Sequence, residues 1–157
     1  MKHLDIFIDG ASKGNPGPSG VGIVVSCQGR TIKNISSNIG IATNNVAEYT
    51  ALIYALEESL ILKADSLTIN TDSQLLARQL NGVYKVKNEN IKGLFLRAKR
   101  LISAFKKVVI NNIPRENNVG ADKLATKGCK KEVIFDNAQA ECGCPDNIGE
   151  ESPGSGG

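Results

Sequence analysis

The segment LDIFIDGASKGNPGPSG, residues 4–20, decides how the fold begins. Apolar residues occupy every second position from Leu4 to Ile8, a period typical of a β-strand. We expect this strand to end at Asp9, because residues 10–20 contain four glycines and two prolines. Such a composition predicts a loop.

The rest of the chain alternates strand-like and helix-like stretches. Further strands are predicted at residues 21–27, 31–36, 66–71 and 108–113, and helices at 45–62, 73–80, 91–105 and 117–127. Gln28-Gly29-Arg30 predicts a hairpin, so the first three strands should be antiparallel. Later strands alternate with helices, which favours parallel pairing through crossovers. The order β-β-β-α-β-α-α-β-α predicts one mixed α/β domain.

Charge divides the 157-residue chain unequally. Residues 1–131, the predicted domain, hold all 19 Lys and Arg against 10 acids, a net charge of +9. Residues 132–157 hold six acids and no base, and we expect them to be a flexible acidic tail. A basic body suits a polyanionic partner, although a merely solvated surface would look the same.

Composition also excludes several classes of protein. The chain is 41% apolar and 22% charged, as ordinary globular proteins are, and no apolar run approaches a membrane span. With no targeting segment recognised, we expect the protein to be in the cytoplasm. We also expect it to be a monomer. We expect reduced thiols, with a structural zinc site or a bridge from tail to body left open; the cysteines are Cys27, Cys129, Cys142 and Cys144.

Four acidic residues stand where a mixed sheet would bring them together. Asp9 ends the first strand and Asp72 follows the fourth, so parallel pairing would place both at the carboxyl edge of the sheet. Glu48 lies in the first turn of the long helix, and Asp122 lies in the last helix. Each has a structural alternative: a turn at Asp9, a capping box from Asn45 to Glu48, a helix cap at Asp72, or a solvated acid at Asp122.

Taken together, the four carboxylates indicate a cation site. Two carboxylates about 4 Å apart repel by about 4 kcal/mol at an effective dielectric constant near 20. Such a cluster must protonate, spread apart or bind cations, and oxygen ligands favour Mg²⁺ or Mn²⁺. Two ions about 3.5–4 Å apart can cleave a phosphodiester, so metal-assisted hydrolysis is the chemistry that we expect.

Four motifs resemble those of type 1 ribonuclease H, over about residues 3–128. They are IDGASKGNPGP (8–18), TNNVAE (43–48), TDSQ (71–74) and PRENNVGAD (114–122), in the family's order. The resemblance implies a five-stranded mixed sheet flanked by helices. It also implies metal-dependent hydrolysis of the RNA strand of RNA–DNA hybrids, leaving 5′-phosphate and 3′-hydroxyl ends.

The same resemblance implies roles for individual residues. The metal ligands for two ions would be Asp9, Glu48, Asp72 and Asp122, with Asp9 bridging. Contacts with the minor groove of the hybrid would come from Asn15, Asn44 and Gln74, and a phosphate contact from Thr43. Wide minor grooves display 2′-hydroxyls, which suit amides that donate and accept. Turn and cap chemistry is the alternative for the asparagines.

The chain departs from many relatives in two ways, as an archaeal-like subgroup does. The loop before the last helix has Arg115 instead of a histidine, and we expect it to steady a phosphate or pair with an acid. His3, the single histidine, is expected to be an exposed terminal residue. A short link replaces the family's basic, tryptophan-bearing protrusion; the candidate phosphate contacts there and beyond are Lys85, Lys87, Lys92, Lys99 and Arg100, with a solvated face as the alternative.

Two other functions remain as rivals at this stage. A non-catalytic module that binds hybrids or duplexes would be expected to lack one or more of the four acids, and all four positions are filled here. A different nuclease on the same fold, such as a relative of junction resolvases, is disfavoured by the matches at Asn15, Asn44 and Gln74.

Overall fold

The computed structural model describes residues 1–130 and the backbone of residues 134–136. The strands are β1 (His3–Ser12), β2 (Gly17–Cys27), β3 (Arg30–Ala42), β4 (Ser66–Thr71), β5 (Lys107–Asn112) and β6 (Ile134–Asp136). The helices are α1 (Asn44–Ile61), α2 (Gln74–Leu80), α3 (Glu89–Ile102) and α4 (Val119–Gly128), and a single 3₁₀ turn covers Arg115–Asn117. No helix in these ranges is both long and apolar enough to cross a membrane.

The sheet has the mixed topology that the sequence predicts. Its strand order is β5-β4-β1-β2-β3-β6, with β1, β2 and β3 antiparallel and with β4 parallel to both β1 and β5. Beyond the five expected strands, β6 pairs with Asn34–Ser36 of β3. This sixth strand belongs to the segment that we expected to be a flexible tail. Residues 132, 133 and 137–157 of that tail lie outside the described residues.

The glycine-rich segment after Asp9 is mostly strand, which corrects the predicted loop. β1 runs through Asp9 to Ser12 and β2 already starts at Gly17. Helix packing explains the glycines: a β-carbon on Gly10 would be 2.3 Å from the Ala47 carbonyl carbon of α1. A β-carbon on Gly20 would likewise be 2.5 Å from α4 backbone. Gly10 and Gly20 let α1 and α4 lie against the sheet backbone and are not turn residues.

Two helices enclose the sheet from opposite faces. Successive strand residues point to opposite faces, and the Gly10 face of β1 contacts α1, whereas Gly22, the partner of Asp9, contacts α4. The core on the α1 side includes the fully buried Leu4, Ile6 and Ile8. Asp9 therefore lies on the α4 side of the sheet, one residue before the strand meets α1.

The helix starts differ from the predicted ones by one or two residues. Thr43, not Asn45, caps α1: its Oγ1 accepts from the Val46 N–H, which makes Glu48 the fifth helical residue and rules out the capping box. Asn88, not Asn90, caps α3. Ser73 caps α2, so Asp72 is not a helix cap.

The expectation of reduced thiols fails for one cysteine, whereas the expected exposure of the histidine is found. Cys27 is disulfide-bonded, so the expectation of reduced thiols is wrong for this residue. Cys129 is a free, buried thiol at the end of α4. Cys142 and Cys144 lie outside the described residues. His3 is exposed, as expected, and its ring nitrogens contact the hydroxyls of Ser66 and Thr68 at 2.7 and 2.9 Å.

Candidate active site

Parallel pairing of β1 and β4 brings the first two acids together. Ile8 is in register with Thr71, so the next residues, Asp9 and Asp72, lie side by side at the carboxyl edge. Glu48 reaches them from α1. One carboxylate oxygen from each of the three residues lies within 4.8 Å of the others. The sequence prediction that these acids converge is confirmed for this trio.

Gly10 makes the approach of Glu48 possible. A β-carbon at this position would lie 2.3 Å from the Ala47 carbonyl carbon and 2.5 Å from the Glu48 backbone nitrogen. The backbone of Gly10 lies close enough to the carboxyl groups of Asp9 and Glu48 to lower the pKa of each, against the larger effect of burial. One glycine thus allows α1 to touch β1 and brings together the two acids that the helix and the strand supply.

Asp122 reaches the cluster from the other side of the sheet. It lies in the first turn of α4, close enough to Asp9 for its carboxyl group to raise the pKa of Asp9. Arg115 approaches it with Nη2 at 3.9 Å from Asp122 Oδ1. All four acids and Arg115 line one open cleft of about 400 Å³, together with Gly10, Ala11, Ser12 and Asn44.

Burial and mutual repulsion raise the pKa values of two of these acids. Burial, followed by the charges of Asp72 and Asp122, raises the pKa of Asp9 to about 8. Burial, followed by the charges of Asp9 and Asp72, raises the pKa of Glu48 well above its usual range. Each carboxylate is therefore costly to ionise in this cleft without added positive charge.

The cluster fits a hard divalent cation. Glu48 Oε1 is buried and has no hydrogen-bond partner among the described residues. An acceptor of this kind beside two further carboxylates offers the all-oxygen ligand set that Mg²⁺ and Mn²⁺ prefer. A bound cation would satisfy the unpaired oxygen and offset the repulsion between the acids. The donor set therefore matches the metal expected from the sequence.

A groove lined by amides adjoins the acidic cleft. It measures about 300 Å³ and is lined by Asn15, Thr43, Asn44, Asn45, Val46, Asn88, Asn90 and Ile91. Three of the predicted substrate contacts, Asn15, Thr43 and Asn44, thus lie in one place. Asn44 also lines the acidic cleft, so the groove and the cleft are continuous.

Two residues that line this groove also make hydrogen bonds that stabilise the fold. Asn15 Oδ1 accepts a hydrogen bond from the Asn44 N–H at 2.9 Å, and Thr43 caps α1. The turn and cap chemistry weighed from the sequence is therefore present for these two side chains. Sequence reasoning missed Asn88 and Asn90 as lining residues; their amides directly after the basic link could have indicated them.

The other predicted contacts lie on the surface around the site. Gln74 is the exposed first residue of α2 and is not among the residues that line the cleft or the groove. Lys85 and Lys87 are exposed in the link between α2 and α3. Lys92 pairs with Glu89 at 3.3 Å, and Lys99 and Arg100 are exposed in the last turn of α3.

Comparison with known proteins agrees with this geometry. The family model described as reverse transcriptase-like matches residues 7–128. The solved RNase H1 of Halobacterium salinarum superimposes with a TM-score of 0.80 at 37% identity, covering 83% of this chain and 99% of that one. The chain belongs to the type 1 ribonuclease H family.

Other members of the ribonuclease H family give the same picture. A curated ribonuclease HI of Halobacterium salinarum is 40% identical over 126 residues, which is 80% of this chain and 63% of the relative. A crystal structure of LC11-RNase H1 in complex with RNA/DNA hybrid has a TM-score of 0.77 at 39% identity, covering 82% of this chain and 97% of that one. The chain spans 63% or less of the length of the first curated relatives it matches.

Proposed function

We propose that the protein hydrolyses the RNA strand of RNA–DNA hybrids with two divalent ions, leaving 5′-phosphate and 3′-hydroxyl ends. One observation carries the proposal. Asp9, Glu48 and Asp72 offer carboxylate oxygens within 4.8 Å of one another, and Asp122 lines the same cleft. The choice of substrate is supported by LC11-RNase H1, a relative at 39% identity whose structure is a complex with RNA/DNA hybrid.

The four acids would hold Mg²⁺ or Mn²⁺. The ions would supply a lowered pKa for the attacking water and charge neutralisation at the leaving oxygen. Among the residues of the chain itself, Gly10 lets α1 approach β1 so closely that Glu48 lies beside Asp9. Because Asp9 is buried and Glu48 is half-buried, their charges are poorly screened by water and favour cation binding.

Substrate contacts would come from the groove and from exposed basic residues. Asn15, Thr43 and Asn44 line the groove next to the acids, where a minor groove with 2′-hydroxyls would find donors and acceptors. Arg115 is 81% exposed and lines the acidic cleft, a position from which it would steady a phosphate. Further contacts are proposed for Gln74, Lys85 and Lys87.

We propose that residues 1–131 form this catalytic unit and that it acts as a cytoplasmic monomer.

Cleavage of a substrate panel tests the proposal. End-labelled RNA–DNA hybrid, double-stranded RNA, single-stranded RNA and single-stranded DNA are incubated with the protein, with Mg²⁺ or Mn²⁺ and with EDTA. We expect cleavage of the RNA strand of the hybrid, its loss in EDTA, and 5′-phosphate ends. Asp9→Asn should abolish cleavage and leave much of the hybrid binding intact.

Asp5→Asn is the matched control, because it makes the same change in the same strand. Asp5 lies outside the cluster and accepts from Asn70 Nδ2 at 2.9 Å, a bond that an asparagine oxygen keeps. Asp5→Asn should cleave the hybrid at the normal rate. Normal turnover by Asp9→Asn would refute the metal assignment, binding without cleavage would favour a non-catalytic module, and preference for another substrate would favour a different nuclease.

A further inference from the structure

Asn118 hydrogen-bonds to three of the four segments that carry the acids. Its Nδ2 donates to the carbonyl oxygen of Ile8, the residue before Asp9, at 2.9 Å. The same nitrogen donates to Asp72 Oδ2 at 3.4 Å. Its backbone oxygen accepts from the Asp122 N–H at 3.1 Å. Asn118 therefore connects β1, the end of β4 and the first turn of α4.

The position of Asn118 in α4 does not explain this side chain. Asn118 precedes the helix as its cap residue, yet its side chain makes no capping hydrogen bond. The residue is 1% exposed, and its Oδ1 is buried with no partner among the described residues. Burying an unpaired acceptor costs stability, so the amide is not the choice that folding alone would favour. The contacts of its side-chain nitrogen with Ile8 and Asp72 are therefore the feature of this residue that needs an explanation.

An amide nitrogen is suited to holding a metal-binding carboxylate. Asp72 is half-buried beside Asp9 and Glu48, and its carboxylate would swing away from two like charges if nothing held it. Donation from Asn118 holds one oxygen of Asp72. Hydrogen bonds to ligating carboxylates of this kind orient them and tune metal affinity.

We propose that Asn118 is a positioning residue that sets the Asp72 carboxylate for divalent-cation binding. This inference rests on the proposed function, since it assumes that Asp72 is a metal ligand. Asn118 acts through Asp72, and it does not itself contact the cation or the substrate.

Titration of the protein with Mn²⁺ and Mg²⁺, followed by calorimetry, tests the proposal on Asn118→Ala. We expect the metal affinity to fall by about 10–100-fold. The kcat on hybrid should fall with it and recover in part at high metal concentration, while KM for the hybrid stays within about twofold because the groove is unchanged. Asn117→Ala, an exposed neighbour in the 3₁₀ turn, is the control and should match the wild type.

A double mutant separates positioning from a general effect on folding. In an Asp72→Asn background, Asn118→Ala should cause little further loss of metal affinity if it acts through Asp72. A lower melting temperature with unchanged metal affinity would overturn the proposal, and so would additive losses in the double mutant. If Asn118→Ala does not fold, Asn118→Ser, which keeps one donor, should give a smaller loss of affinity, and an unchanged affinity would again overturn it.

Failure of the proposed function would look different. A wild-type protein that binds neither Mn²⁺ nor Mg²⁺, or binds them without cleaving hybrid, would contradict the nuclease proposal before any variant is compared. Metal binding and hybrid cleavage by the wild type, with both unaffected in Asn118→Ala, would contradict the role of Asn118 alone.

Discussion

Asp9 is the residue at which the electrostatics of the site can be measured directly. In the folded, metal-free protein its pKa is about 8, whereas in an unfolded chain an aspartate loses its proton near pH 4. Between these values the folded state binds more protons than the unfolded state. The free energy of unfolding should therefore fall as the pH rises through this window, and the raised pKa of Glu48 acts in the same direction.

Thermal unfolding in EDTA from about pH 5 to about pH 9 measures this dependence. We expect the melting temperature to fall steadily with pH, and excess Mg²⁺ to raise it most at the alkaline end, where the carboxylates are ionised. Asp9→Asn removes one titrating group and should flatten the curve. A melting temperature that rises over this range in EDTA would contradict the raised pKa values.

At the scale of secondary-structure elements, the contact between β1 and α1 decides the site. Gly10 has no room for a methyl group, since a β-carbon would lie 2.3 Å from the backbone of Ala47. We expect Gly10→Ala to separate the strand from the helix and to move Glu48 away from Asp9. Overpacking of this kind costs about 1–3 kcal/mol or more in the free energy of unfolding. Cleavage of hybrid should fall by at least about 100-fold, because misplacement by about 1 Å is enough for such a loss.

Gly93→Ala is the matched control for this substitution. Gly93 lies within α3, and a β-carbon there would meet nothing within 4 Å. Alanine should therefore stabilise the protein by about 0.4–1 kcal/mol, through helix propensity and a less flexible unfolded chain, and leave cleavage unchanged. Chemical denaturation and hybrid cleavage assays on both variants check the pair. Equal behaviour of the two variants would show that the contact between β1 and α1 is not limiting.

At the scale of the whole molecule, the excess of basic residues in residues 1–131 predicts salt-dependent binding. Contacts with phosphates release counterions, so KM for the hybrid should rise by at least about tenfold between about 50 and 200 mM salt. The double variant Lys85→Ala/Lys87→Ala should weaken binding and reduce the slope of log KM against log salt by about two. Steady-state kinetics at several salt concentrations measure both.

Two basic residues at the other end of the sheet provide the control. Lys107 is in register with Ser66 at the amino end of the parallel strands, and Arg30 follows the turn between β2 and β3. Lys107→Ala/Arg30→Ala removes the same charge and should leave the slope unchanged. An equal decrease in both double variants would indicate that only net charge matters and that Lys85 and Lys87 have no specific contact.

The sequence by itself determined the order and type of the main elements and the identity of the four acids. Apolar periods of two and of 3.6 residues are local properties, so strands and helices can be predicted from them. Parallel pairing then placed Asp9 and Asp72 at one edge of the sheet. The acid positions could be predicted because each follows or lies within an element whose type was already clear.

Only the tertiary structure decided where the glycines act, which residues cap the helices and what holds the acids. Glycine permits both a turn and a close backbone approach. The glycine content of residues 10–20 therefore could not show that β1 continues past Asp9, and the sequence could not show that Gly22 contacts α4. Thr43 and Asn45 are both good caps, and the choice depended on where α1 begins against the sheet. Asn118 stands in the same motif as Asp122, but its contacts with Ile8 and Asp72 join segments distant along the chain, and no local pattern records them.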